Sequence, residues 1–211
     1  MNVLVVGGAR RMGSLTAEVL VKRGHSVVVL DDLSMGHRQA VHPEAAFIHA
    51  DFTDSESVVF ALLEHDIEAV IHFALLSKPD SAVEYFERNT TASLSFLQTL
   101  LKYGIRKLVL SFTATSLETL VIDERTSIPP TDTYGESIYL VERMLPWLHQ
   151  TQGLSYALLR HASAADEAER SVLRRQILGV AKAHVLALES LNDGDARTYN
   201  LDDECWFLKP G

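Results

Sequence analysis

The sequence predicts an α/β fold, a doubly wound parallel sheet with helices on both faces. Three observations predict it. An apolar β-branched run, Val3 to Val6, stops at the paired Gly7 and Gly8, and Gly13 then opens a helical pattern from Ser14 to Lys22, giving strand, tight turn and helix. The unit continues into Ser26-Val-Val-Val-Leu-Asp-Asp32, a buried strand tipped by Asp31, eighteen residues beyond Gly13. Apolar runs then alternate with segments of helical period along most of the chain, and right-handed crossovers turn that alternation into a parallel sheet covered on both sides.

The glycine-rich turn has a chemical reading. It aims a helix N-terminus, with its unpaired N–H groups and positive dipole end, at a diphosphate lying against the backbone. An acid ending the second strand accepts both hydroxyls of an adenosine ribose and repels a 2′-phosphate, which points to NAD. The plainer alternatives are glycines serving only a tight turn and Asp31 as a solvated turn acid.

Composition narrows the partners. The 211 residues, 47% of them apolar, suffice for one well-buried domain, so 1–211 reads as a single unit. With 19 basic against 28 acidic residues the net charge is −9, and the arginines form no stripe, so nucleic acid is disfavoured. No secretory leader and no apolar run of membrane-spanning length is read, so no membrane association is expected. The single Cys205 has no internal disulfide partner, making a cytoplasmic setting the expectation. The nine histidines show no metal-ligand spacing, and no metal is expected.

The elements follow in order. After a polar turn with Gly36, Ala46–Ala50 reads as the third strand, followed by Asp51-Phe52. Val58, Val59, Leu62 and Leu63 give a helix over 55–65 capped by Ser55 or Asp54. Ala69–Ala74 is the fourth strand, 81–103 a long helix closed by Gly104, and Lys107–Thr113 the fifth strand. A loop rich in Thr, Asp and Pro runs over 116–133. A helix over 135–150 is expected to bend or end early at Pro146. Ser155–Arg160 is the sixth strand, 172–191 is helical by pattern, Thr198–Leu201 is a short last strand, and the apolar tail Cys205–Leu208 is expected to pack on the body.

These residues resemble the extended short-chain dehydrogenases/reductases, and among them the UDP-glucose 4-epimerases. The resemblance rests on the glycine turn, on Asp31-Asp-Leu-Ser-Met-Gly-His-Arg-Gln-Ala-Val41, Asp51-Phe52, Ile71-His-Phe-Ala74, Tyr85-Phe-Glu-Arg-Asn89 and Ala181-Lys-Ala-His-Val-Leu-Ala-Leu188. It implies a Rossmann fold and NAD held by Gly7, Gly8, Arg10, Arg11 and Met12 at the diphosphate, Asp31 at the ribose and Asp51 and Phe52 at the adenine. Phe73 and Ala74 belong to the same implied cofactor set, Asn89 lies on a helix beside the cofactor, and Lys78 is a weaker carry-over. The implied chemistry is transient oxidation of a sugar 4-hydroxyl, with Tyr134 as the base and Thr113 orienting the sugar oxygen. Packing at a helix start and local capping are the plainer roles of those two. His72 and His184 read as structural. The helices at 81–103 and 135–150 carry apolar stripes whose simpler account is packing on their own sheet, while the family implies that they can form the four-helix bundle of a homodimer.

Three departures temper the implied activity. The family's lysine, one helical turn after the tyrosine, is replaced by Ile138, and at an unshifted pKa only about one tyrosine in a thousand is ionised at pH 7. Arg143 is out of register to replace it. Arg10 stands where a middle glycine is usual, and 162–211 reads as a shortened remnant of the cap that binds the nucleotide sugar. Two functions therefore stay open: an NAD-dependent enzyme acting slowly on a nucleotide sugar or a smaller hydroxylated substrate, or a noncatalytic NAD-binding pseudoenzyme with a regulatory or scaffolding role. RNA binding, a third, is disfavoured by the charge.

Overall fold

Runs of valine, isoleucine and leucine buried on both faces make the central strands here, as a parallel sheet requires. The computed structural model describes residues 1–75, 81–113, 130, 132–161 and 170–201, and of residues 113 and 170–175 only the backbone. Strands β1 (Asn2–Val6), β2 (Ser26–Asp31), β3 (Ala46–His49), β4 (Ala69–His72), β5 (Lys107–Thr113), β6 (Ser155–His161) and β7 (Ala196–Leu201) form one sheet in the order β3-β2-β1-β4-β5-β6-β7. Every pairing is parallel. The order reverses between β1 and β4, which pair from Val3↔Ala69 to Val6↔His72, and a cleft opens beyond their C-terminal ends at such a switch point.

Alternation along the strands divides the core into two layers. Leu4, Val6, Val28 and Leu30 face α2 (Ser55–Glu64), α4 (Ala92–Lys102) and α5 (Thr133–Gln152), meeting Leu62, Leu97 and Leu145. Val3, Val5, Val27 and Val29 face α1 (Arg11–Lys22) and α6 (Arg170–Ser190), meeting Leu20, Val185 and Leu188. The doubly wound expectation therefore holds. Among the described residues no helix is long and apolar enough to cross a membrane.

The structure amends several boundaries. Helix α1 starts at Arg11, three residues before the helical pattern read from the sequence, with Gly13 inside its first turn. The expected helix over 81–103 is three pieces, α3 (Ala82–Tyr85), a π-helical segment (Phe86–Thr91) and α4, closed by Gly104 at φ 83°. Pro146 does not end α5: the helix runs on to Gln152 and stops at Gly153, φ 71°. The proline lies exposed, so its missing amide falls on the solvent side of the helix. Of the stretch expected as a cap remnant, residues 170–201 form α6 and β7, a covering helix and an edge strand of the sheet itself. Lys78, the loop over 116–129 and the tail Cys205–Leu208 lie outside the described residues.

Two internal arrangements set the response to pH and to mutation. His72 and His184 are fully buried, and burial pushes each pKa down to about 3, for His184 with an added push from His161 against the pull of the Val180 carbonyl. Both are neutral when folded and protonate near 6.5 when unfolded, so the unfolded chain binds more protons below pH 6.5 and stability falls as pH drops through the window from 6.5 toward 3. Urea unfolding at pH 8 and pH 5 should differ by about 2 kcal/mol for each histidine; a stability unchanged between those pH values would contradict it. Arg160 on β6, 6% exposed in its side chain, pairs with Glu142 on α5 and donates from Nη1 to Asn200 Oδ1 at 3.4 Å. Glu142→Ala leaves that guanidinium uncompensated, and a loss of about 3 kcal/mol is expected in the same assay.

Candidate functional site

The turn after β1 is held by close backbone contacts that only glycine permits. Gly7 has φ 76°, and a Cβ there would stand 3.0 Å from the Ala74 nitrogen. Gly13 is tighter still: its Cβ would lie 2.2 Å from the Gly7 carbonyl oxygen, so α1 rests directly on the turn. Gly8 faces the other way, where a Cβ would meet the Val29 side chain at 2.7 Å. Arg10 occupies the N-cap in extended conformation without a side-chain cap, and the first turn of α1 carries no acid. Its leading amides have no intrahelical acceptor, and the helix end is electropositive.

Asp31 is buried at the tip of β2 and is aimed by two backbone amides. Its Oδ2 accepts from Ala9 N at 2.9 Å and its Oδ1 from Leu33 N at 2.8 Å. Leu33 takes φ 61° to reach it, a left-handed conformation that costs a leucine about 1 kcal/mol. Each carboxylate oxygen retains a lone pair for a hydroxyl donor. Gly36 lets the following loop press on the turn, since a Cβ there would stand 2.9 Å from Ala9 atoms, and His37 N donates to Ala9 O at 3.1 Å.

An open cleft brings Gly7, Arg10, Asp31, Asp51, Phe52 and Ala74 together. Burial raises the Asp51 carboxyl pKa, and the Thr53 amide and hydroxyl together with Arg88 outweigh it, holding the group below the usual carboxylate range. His72 supports this wall from beneath: Nδ1 accepts from Ala74 N at 3.2 Å, and its ring lies 4.8 Å from Phe52 and 5.1 Å from Phe96. A carboxylate for ribose, an apolar slot and a glycine turn under an open helix end fit the adenosine and diphosphate portion of a dinucleotide.

The other expected residues stand outside that cleft. Arg11 is exposed on the first turn of α1, Met12 is half-buried there, and the Phe73 ring packs 4.9 Å from His184. Asn89 is fully buried in the π-helical segment and donates from Nδ2 to Ser137 Oγ at 3.0 Å, which in turn donates to the Tyr134 carbonyl at 2.7 Å. Thr90 Oγ1 donates to the Ser137 carbonyl at 2.9 Å. Tyr134 lies half-buried in the first turn of α5, whose N-cap Asp132 accepts from Gly135 N at 2.6 Å, and its ring is 5.9 Å from that of Tyr85. One turn on, Ile138 is 3% exposed within the apolar core. Thr113 ends β5 opposite His161 in the β5–β6 register.

Arg88 and Ser137 are the residues that sequence reasoning missed. Arg88 lines the cleft and Ser137 carries the bonds that fix the Tyr134 turn. Both sat inside quoted motifs, Tyr85-Phe-Glu-Arg-Asn89 and Tyr134-Gly-Glu-Ser-Ile138, and only tertiary pairing separates them from their neighbours.

Comparison with known proteins agrees with this geometry. The model of the NAD dependent epimerase/dehydratase family matches residues 3–197. The UDP-glucose 4-epimerase of Lactobacillus helveticus is 37% identical over 172 residues, covering 78% of this chain and 52% of the relative. That of Corynebacterium glutamicum is 30% identical over 248 residues, covering 95% and 75%. The chain thus spans about half the length of most of the curated relatives it matches, 52% for the first. A solved UDP-glucose 4-epimerase from Stenotrophomonas maltophila, with bound NAD and formylated UDP-arabinopyranose, superposes with a TM-score of 0.82 at 27% identity, covering 95% of this chain and 77% of that one. A glycine turn under α1, the buried acid ending β2 and a family match across nearly the whole chain give one conclusion: this protein belongs to the NAD dependent epimerase/dehydratase family.

Proposed function

We propose that this chain binds NAD, with the adenosine half in the cleft between Gly7, Asp31 and Asp51, and acts slowly on a UDP-sugar or a smaller hydroxylated substrate by transient hydride transfer of the 4-epimerase type. The observation that carries the reading is Asp31, buried and oriented by the Ala9 and Leu33 amides toward the cleft. Its fixed negative charge favours ribose hydroxyls and opposes a 2′-phosphate. Calorimetric titration should therefore show NAD binding at least about tenfold more tightly than NADP; equal affinities would defeat the assignment.

NAD, held by Gly7, Asp31 and Asp51, would supply reversible hydride acceptance. The chain's part is to take the proton of the sugar 4-hydroxyl at the Tyr134 phenol oxygen, with Thr113 orienting the sugar oxygen. The Asn89–Ser137 bonds hold the Tyr134 turn against the body. A phenol becomes a base near neutral pH when a neighbouring cation stabilises the phenolate. Ile138 supplies a branched hydrocarbon in the core instead, which is why the proposed transfer is slow.

That same burial of Ile138 favours a second reading, a noncatalytic NAD-binding pseudoenzyme with a regulatory or scaffolding role. Ile138→Lys separates the two. Without dinucleotide the substitution should cost about 2–4 kcal/mol, because an ammonium enters the core unpaired. With NAD and UDP-glucose, a slow enzyme gains turnover by about a hundredfold or more, the lower end of general-base contributions, whereas a pseudoenzyme stays inert.

The first titration is NAD alone, followed by UDP-glucose added to the loaded protein. Binding of both supports the enzyme, and binding of NAD alone supports the pseudoenzyme. The reading also includes a homodimer through the helices at 81–103 and 135–150, supported by Val83, Leu94 and Trp147, which are 64%, 36% and 67% exposed. Trp147→Glu should shift the sedimentation coefficient to that of a monomer.

A further inference from the structure

Two regions of the surface take no part in the cleft. The first is the outer face of α2. Phe60 and Leu63 stand one turn apart there, 55% and 61% exposed, while Glu56 lies one turn before Phe60 and Glu64 follows Leu63. Both carboxylates are exposed, and neither has an ion-pair partner among the described residues. The second is a groove between α1 and α6 with a volume of about 420 Å³. Leu15 and Val19 form one wall and Leu178 and Leu186 the other, with Leu186 38% exposed. Lys182 lies one turn from each of the last two, exposed and without an ion-pair partner among the described residues. Its neighbours are already compensated, Lys22 by Glu18 and Arg23 by Glu189.

We propose that α2 of one copy seats in the α1–α6 groove of another, a head-to-tail contact between identical chains. The dimensions agree: Leu178 to Leu186 spans about 12 Å along α6, and α2 is about 15 Å long. An apolar cavity of about 150 Å³ accepts a benzene ring, so the groove has room for the Phe60 ring and the Leu63 side chain together. The charges agree as well. Whichever way the helix runs along the groove, an acid flanking the apolar pair, Glu56 or Glu64, comes to Lys182. This is an amphipathic helix laid into a groove, with two apolar anchors and charges that set the register. Helix α2 packs in the layer opposite α1 and α6, so it cannot fill the groove of its own chain. The occupant comes from a second copy, and because the two surfaces differ, a pair still presents one open helix and one open groove. With two anchors the contact is small, so association is weak and grows with concentration.

The test is sedimentation velocity of the full chain over a rising series of concentrations, in the Trp147→Glu background, so that pairing through the helices at 81–103 and 135–150 is read separately. The sedimentation coefficient should start at the monomer value and climb with concentration. Phe60→Ser and Lys182→Glu, added singly, should each weaken the association by about tenfold or more, the loss of one anchor or one charge pair. Both side chains are exposed, so thermal midpoints should stay near that of the parent. A mixture of the two variants should associate again and stop at one-to-one pairs, since one brings an intact groove and the other an intact helix. A sedimentation coefficient that stays constant with concentration overturns the proposal. Association kept in either single variant does the same, as does a mixture that remains monomeric. A dilute wild-type chain that is already monomeric removes the proposed homodimer and leaves this contact to be decided by the same series.

Discussion

Everything at the switch point depends on one backbone contact, that of Gly13 against the carbonyl of Gly7. With no side chain at 13, the first turn of α1 settles on the strand-to-helix turn, and the helix end faces the cleft. That placement sets Ala9 where its amide meets Asp31, and Asp31 in turn draws Leu33 into a left-handed conformation. A methyl group at residue 13 would push α1 outward and disturb the ribose side and the diphosphate side of the cleft together. The rest of the sheet serves to present this contact: β1 is buried between β2 and β4, and its alternate residues reach both core layers.

The fold was legible because its signals are local and periodic. Valine runs in β1 and β2, the cap at Asp54 and the glycine closing α4 can each be read from a few neighbouring residues. The misreadings have equally local causes. The π-helical segment at Phe86–Thr91 keeps the apolar spacing of a helix while adding a residue to one turn, which periodicity does not register. Pro146 is a strong breaker by type, yet it lies exposed within α5, which runs on to Gln152.

The candidate site was legible in its backbone half and hidden in its side-chain half. Gly7, Asp31, Asp51 and Ala74 meet because strand ends meet, and strand ends can be placed from sequence. The pairing of Arg88 with Asp51, 37 residues apart, and of Asn89 with Ser137, 48 apart, depends on how the π-helical segment and α5 lie across the sheet. No local pattern encodes either. The same holds for residues 170–201: a helical pattern followed by a short strand does not say where the strand pairs, and the pairing of β7 with β6 is a tertiary fact.

The peptide unit of Ala9 is bound at both ends, its N–H by Asp31 and its carbonyl by the amide of His37 on the loop that Gly36 lets approach. A glycine-rich turn is the part of a chain with the most backbone freedom to lose. Here that freedom is lost when the protein folds, and the rim loop shares in the restraint. A ligand entering the cleft therefore meets a turn already rigid, so more of its contact energy remains as affinity.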